Sequence, residues 1–185
     1  MFTSTNKQLE QLVAELKTLV RDVPDFPVPG ILFKDLTTVF KNPDSLQVMA
    51  DALADIYADC GVYKVLGIES RGFIMGSVLA NRLHAGFVPV RKPGKLPADT
   101  LKMEYEKEYG TDVIEIHKDA ITSDDVVILH DDLLATGGTM RAAYELLKQF
   151  NPRAIYINFV CSIPVLKGRE VLPAGVPVTT LFDFG

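Results

Sequence analysis

Long apolar runs are missing from this sequence. No uninterrupted hydrophobic stretch approaches the roughly 20 residues that span a bilayer, so neither a transmembrane helix nor a membrane partner is expected. The N-terminus has no basic region followed by an apolar block, so no secretory signal is read there. Cysteine is scarce. Cys60 and Cys161 lie far apart without metal-ligand spacing, which points to core thiols, a reducing compartment and a cytoplasmic location. An excess of positive charge is also lacking. A net charge of −5 opposes the basic stripe of a nucleic-acid binder, so no nucleic-acid partner is expected. Local cations can still hold a small anion, and Arg71, Arg91, Lys92 and Lys95 are candidates. There is no internal repeat, low-complexity stretch or interdomain linker. A chain of 185 residues, 48% hydrophobic and 23% charged, fits one soluble domain over 1–185.

What is present alternates between strand and helix patterns. Apolar residues from Leu9 to Val20 recur at helical spacing, predicting a helix over 5–23. Pro24, Pro27 and Pro29 then impose an extended loop, followed by a strand-like piece over 31–37. A second helix begins at Asn42-Pro43-Asp44 and runs to about Cys60. Short strands are expected at 64–68, 86–90, 126–130, 154–160 and 178–182, with helices over 73–83 and 139–150. Residues 91–99 read as loop. Residues 100–117 read as a hairpin or flap with few core contacts. This order predicts an α/β fold, a central mostly parallel sheet flanked by helices.

The most informative segment is Val126-Val127-Ile128-Leu129-His130-Asp131-Asp132-Leu133-Leu134-Ala135-Thr136-Gly137-Gly138-Thr139. An apolar strand buried on both faces delivers two carboxylates at its C-terminal end, where open α/β sheets place ligands. Ala135 to Thr139 then lead into a helix, whose first N–H groups suit a phosphate monoester. Gly137 and Gly138 admit the anion to the backbone, and Thr136 and Thr139 add hydroxyl donors. Carboxylates beside a phosphate site fit a sugar with vicinal hydroxyls and can support Mg²⁺ through its waters. The bland alternative is a polar turn in which an aspartate merely caps the helix. No Gly-Lys-Ser/Thr occurs there, which excludes a P-loop.

This stretch resembles the ribose-phosphate donor motif of the type I phosphoribosyltransferases, in the form found in the adenine phosphoribosyltransferases. Other segments from Leu9 to Phe182 resemble that family too. The resemblance implies that Pro24 to Asp35 contributes to a base pocket, with Leu32, Phe33 and Lys34 as base contacts. Lys34 stands where the family usually has arginine. Ile163 falls near the family's second apolar base contact. Glu69-Ser70-Arg71-Gly72-Phe73 resembles the pyrophosphate loop, with Ser70 and Arg71 as contacts and a cis peptide near Glu69-Ser70. The stretch around Arg91, Lys92 and Lys95 and then Glu108-Tyr109-Gly110 resembles the flexible catalytic flap. Glu108 is implied as the proton-handling group, with Tyr109 beside it.

His130 reads as a packed strand residue rather than a catalyst. The implied architecture is one phosphoribosyltransferase domain. Its base-side hood comes from about 1–36 and the C-terminal segment, and its flap from about 91–117. The implied reaction is adenine plus 5-phosphoribosyl diphosphate giving AMP and pyrophosphate, with Mg²⁺ carried mainly by the diphosphate and water. An arginine matching Arg91 often acts across subunits in this family, which implies a homodimer. Three alternatives stay open on the sequence: an oxopurine as the base, a regulator that binds the donor without chemistry, and a generic nucleotide-binding module. The Asp-Asp pair argues against the last.

Overall fold

The computed structural model describes residues 6–26, 29–30, 32–106 and 110–184. The chain forms two compact units, residues 1–53 and 54–185.

The first unit opens with helix α1 (Asn6–Leu19), which is shorter than its periodicity predicts. Residues 21–24 leave the helix to form strand β1 (Arg21–Pro24), antiparallel to β2 (Leu32–Asp35). The register explains the switch. It sets Arg21 opposite Asp35 and Asp22 opposite Lys34, two opposite-charge pairs across the ladder. Arg21 donates to Asp35 from its guanidinium, and Lys34 Nζ lies 2.6 Å from Asp22 Oδ1. Burial alone would raise the Asp35 carboxyl. Its bonds from Arg21 and the Thr37 N–H overcome this and hold it down at about 2. Asp35 Oδ1 also accepts from the Thr37 N–H at the start of helix α2 (Thr37–Phe40). Helix α3 (Pro43–Tyr57) follows, with Asn42 Oδ1 accepting from the Ser45 N–H as the sequence signal predicts.

The second unit contains β3 (Lys64–Ile68), α4 (Gly72–Arg82), β4 (Gly86–Val90), β5 (Thr100–Glu106), β6 (Thr111–His117), β7 (Val126–Leu134), α5 (Gly138–Lys148), β8 (Ala154–Ser162), α6 (Gly168–Val171) and β9 (Val178–Asp183). Five strands make a parallel sheet in the order β4-β3-β7-β8-β9. Val126 to Leu129 are all buried, as a continuous apolar run predicts for a central strand. The core joins Leu66, Val127, Leu129 and Phe159 of the sheet to Leu146 and Leu147 of α5.

The hairpin β5–β6 departs from the expectation of few core contacts. Ile114 and Ile116 are buried in that same core, and Leu101, Met103 and Tyr105 pack against it. Of the two cysteines, Cys161 is buried and Cys60 half-buried, and both are free thiols.

Strand β7 runs four residues further than predicted, through Asp131 and Asp132 to Leu134. The neighbouring β8 supplies the reason: it continues alongside, pairing Asp131 with Phe159 and Leu134 with Ser162. The two aspartates therefore sit on a paired strand rather than in a free loop.

Helix α4 packs tightly on this strand. A Cβ on Gly72 would stand 2.9 Å from the His130 carbonyl and 3.0 Å from Asp131 Oδ1. The backbone oxygen cannot yield without moving β7. Gly72→Ala is expected to destabilise the protein by about 1–3 kcal/mol, the usual penalty of overpacking, as read from the urea midpoint. A variant as stable as the parent would show that α4 can retreat freely.

Candidate active site

The C-terminal ends of β3, β4 and β7 converge on one edge of the sheet. Each carries residues singled out from the sequence. From β7 come Asp131 and Asp132, consecutive residues near its C-terminal end. Asp132 is 1% exposed and Asp131 only partly buried. Asp131 Oδ1 accepts from the Asp132 N–H at 2.9 Å, and Asp132 Oδ2 lies 3.2 Å from Arg71 Nε. Burial and the nearby Asp132 charge push the Asp131 carboxyl well up; burial also raises Asp132, against the pull of Arg71. The pair retains a proton to higher pH than ordinary carboxyls do.

The loop after β7 turns sharply into α5. Gly137 adopts φ +81°, a left-handed conformation that side chains rarely tolerate, and it stands at the N-cap of the helix. The turn packs against the first residue of α6. A Cβ on Gly137 would meet the Gly168 carbonyl at 2.5 Å, and one on Gly168 would meet the Ala135 carbonyl at 2.1 Å. Thr136 is exposed, while Ala135, Gly138 and Thr139 are half-buried beside the helix N-terminus. The sequence singled out Gly137 for its freedom but gave no sign that Gly168 is its packing partner.

From β3 comes Glu69-Ser70, joined by a cis peptide as the resemblance implies, and then Arg71 at the start of α4. Ser70 is exposed. From β4 comes Arg91, whose guanidinium grips Glu69 through Nε and Nη2, each at 3.2 Å. Glu69 also accepts from the Lys92 N–H at 2.9 Å. The Arg91 bond, then the Lys92 N–H, lowers its carboxyl. Lys92 Nζ lies 2.6 Å from Asp112 Oδ2, and the Lys95 carbonyl accepts from Arg91 Nη1 at 3.1 Å.

Glu115 was not singled out from the sequence, where it looks like one polar step in an alternating strand. It is 2% exposed. It accepts from the Gly94 N–H and, at 2.7 Å, from Thr100 Oγ1, while Lys102 Nζ lies 3.2 Å away. The Thr100 bond leads the interactions that hold its carboxyl low against burial. One buried anion thus ties the 91–99 loop to the hairpin.

Among the described residues, two cavities lie near the turn after β7. One, of about 140 Å³, is lined by Glu69, Arg91, Lys92, Tyr105, Asp131 and Thr139. The other, of about 320 Å³, has Leu134, Ser162, Ile163, Gly168, Thr180 and Asp183 among its walls. The first unit holds the remaining predicted contacts. Leu32 is exposed, and Phe33 meets Phe26 edge-on with ring centroids 5.1 Å apart, next to the Lys34–Asp22 pair. Glu108 and Tyr109 lie outside the described residues.

His130 is fully buried, and Nδ1 lies 2.7 Å from Asn158 Oδ1. An amide oxygen only accepts, so Nδ1 carries the proton. Burial lowers its pKa to about 4, and a neutral packed imidazole agrees with the strand-residue reading.

The raised Asp131 carboxyl makes a signed prediction. Unfolded, it ionises in the ordinary carboxylate range; folded, it keeps its proton to higher pH. The contribution of this one group to native stability therefore falls as pH climbs above about 4. Asp131→Asn removes that penalty and can still accept from the Asp132 N–H. Its melting temperature should exceed the parent's at pH 7, with the gap closing below about pH 4. An Asn variant that melts lower at pH 7 would show that the carboxyl is not under strain of charge.

Known proteins resemble this chain in sequence and fold. Residues 35–176 match the phosphoribosyl transferase domain family. The chain is 56% identical over 162 residues to the adenine phosphoribosyltransferase of Bacteroides thetaiotaomicron, covering 88% of this chain and 92% of that one. The crystal structure of adenine phosphoribosyltransferase from Rhodothermus marinus superposes with a TM-score of 0.89 at 47% identity, covering 95% of this chain and 99% of that one. The Giardia lamblia enzyme, solved in complex with 9-deazaadenine, gives a TM-score of 0.89 at 42% identity, covering 94% and 98%. The chain belongs to the phosphoribosyltransferase family and, within it, to the adenine phosphoribosyltransferases.

Proposed function

We infer that this protein transfers the 5-phosphoribosyl group from phosphoribosyl diphosphate to adenine, releasing pyrophosphate and giving AMP, a purine-salvage reaction. The observation that carries the reading is the end of β7. Two carboxyl groups lie next to a glycine turn at a helix N-terminus, on a chain 56% identical to an adenine phosphoribosyltransferase. The helix N-terminus and the hydroxyls of Thr136 and Thr139 would receive the 5-phosphate, with Ala135, Gly137 and Gly138 leaving it room. Asp131 and Asp132 would accept from the ribose hydroxyls. Ser70, Arg71, Arg91, Lys92 and Lys95 would hold the pyrophosphate. Arg91 and the Lys92 N–H already meet at Glu69, and the Lys95 carbonyl accepts from Arg91, which supports that grouping.

The base contacts Leu32, Phe33, Lys34 and Ile163, and the roles of Glu108 and Tyr109, rest on the family resemblance. The same holds for one domain with a base-side hood from about 1–36 and the C-terminal segment and a flap from about 91–117. The 9-deazaadenine bound by the Giardia enzyme supports adenine as the base. Mg²⁺ would travel with the diphosphate. The adjacent Asp131 and Asp132 oxygens are hard donors of the right sign to hold its waters, and the ion supplies charge neutralisation to the leaving group. A homodimer and a cytoplasmic location complete the reading. No helix among the described residues is long and apolar enough to cross a membrane.

With Mg²⁺ and phosphoribosyl diphosphate, pyrophosphate should appear on adding adenine, and not on adding hypoxanthine, guanine or xanthine. Release with an oxopurine alone would overturn the base assignment. Donor binding without release for any base would point to a regulator. Calorimetry tests the carboxylate roles separately. The double variant Asp131→Asn, Asp132→Asn should bind the donor about ten-fold or more weaker, since two charge-assisted bonds are lost. Parental affinity would remove the ribose assignment.

A further inference from the structure

Tyr105 stands on β5 directly opposite Asp112 of β6. Its ring packs against the core, so the position of its hydroxyl is set by the fold. That hydroxyl lies 3.1 Å from Thr139 Oγ1 in the phosphate loop and 3.4 Å from Asp112 Oδ2. Tyr105 and Thr139 both line the 140 Å³ cavity, together with Asp131 and Arg91.

Counting protons shows what this geometry does. A phenol has one proton, and so has the threonine hydroxyl, whereas the Asp112 carboxylate only accepts. If Tyr105 donates to Asp112, Thr139 must donate to Tyr105 to keep their bond. The threonine proton is then committed to Tyr105 and not offered to a ligand. If Tyr105 donates to Thr139 instead, the threonine proton is free to turn toward an anion, and Thr139 becomes a better donor for accepting a bond itself. An anionic ligand in the loop favours the second arrangement.

We propose that Tyr105 is a positioning residue for the donor's phosphate, acting through Thr139 by fixing the direction of the threonine hydroxyl proton. The inference rests on reading the Ala135–Thr139 loop as the phosphate site. Nothing in the spacing of β5 marks Tyr105 from the sequence, because its partner lies 34 residues further on.

A double-mutant cycle on the full chain tests it, with phosphoribosyl diphosphate and Mg²⁺ titrated calorimetrically without base. Tyr105→Phe keeps the ring in the core and removes only the hydroxyl. It should weaken donor binding about 3- to 10-fold, the effect of one neutral hydrogen bond. The same change should have no effect in a Thr139→Val background and full effect in a Thr139→Ser background, where a hydroxyl persists. The KM for adenine at saturating donor should not move, whereas general loosening of the hairpin would move both constants. Parental donor affinity in Tyr105→Phe would overturn the proposal, as would losses that simply multiply in the Tyr105→Phe, Thr139→Val protein. Failure of the parent chain itself to bind the donor would overturn the phosphate-loop reading beneath it, and that is visible before any variant is made.

Discussion

Holding the carboxyl groups of Asp131 and Asp132 at the end of β7 strips water from two acids that repel each other. A fold selected for stability alone would place apolar residues there, as it does at Val127 and Leu129 on the same strand. The surroundings bear the repulsion. Arg71 approaches Asp132, the strand backbone donates an N–H to Asp131, and β8 extends alongside so that the acids cannot swing out as a loop. The close packing of Gly72 on β7, and of Gly168 on the turn after it, depends on keeping this strand end in one place. Giving up stability at one point is a common relation in binding sites.

The cations around the site follow a related logic. Arg91 is met by Glu69, Lys92 by Asp112 and Lys102 by Glu115. These pairs hold flexible side chains in fixed places, which lowers the entropic cost of gathering them around an anion. Arg71, Arg91 and Lys92, read from the sequence as candidate anion contacts, each stand beside a carboxylate in the structure.

Much of the architecture was readable in advance. Strands 64–68 and 86–90 fall where short apolar runs place them, and the helices at Gly72 and Gly138 begin within one residue of the pattern. The glycines and threonines after Asp132 announced a helix N-terminus suited to phosphate. Misreadings occurred where contacts distant in sequence override local preference. The α1 pattern ran on through Arg21 to Val23, yet those residues pair with β2 because Arg21 and Asp22 find opposite charges there. The hairpin looked like a loosely held flap, yet Ile114 and Ile116 complete the core.

The sequence by itself determined the α/β order, the central buried strand, the acidic pair and the glycine turn into a helix. Each of these is encoded in contiguous residues by periodicity, side-chain chemistry and backbone freedom. Only the tertiary structure decided that Glu115 is buried among three donors, that Gly168 fills the space beside Gly137, and that Tyr105 reaches Thr139. Those relations join residues tens of positions apart. Side-chain type limits what each can do, but the packing of the sheet against its hairpin and turns fixes which partner it meets.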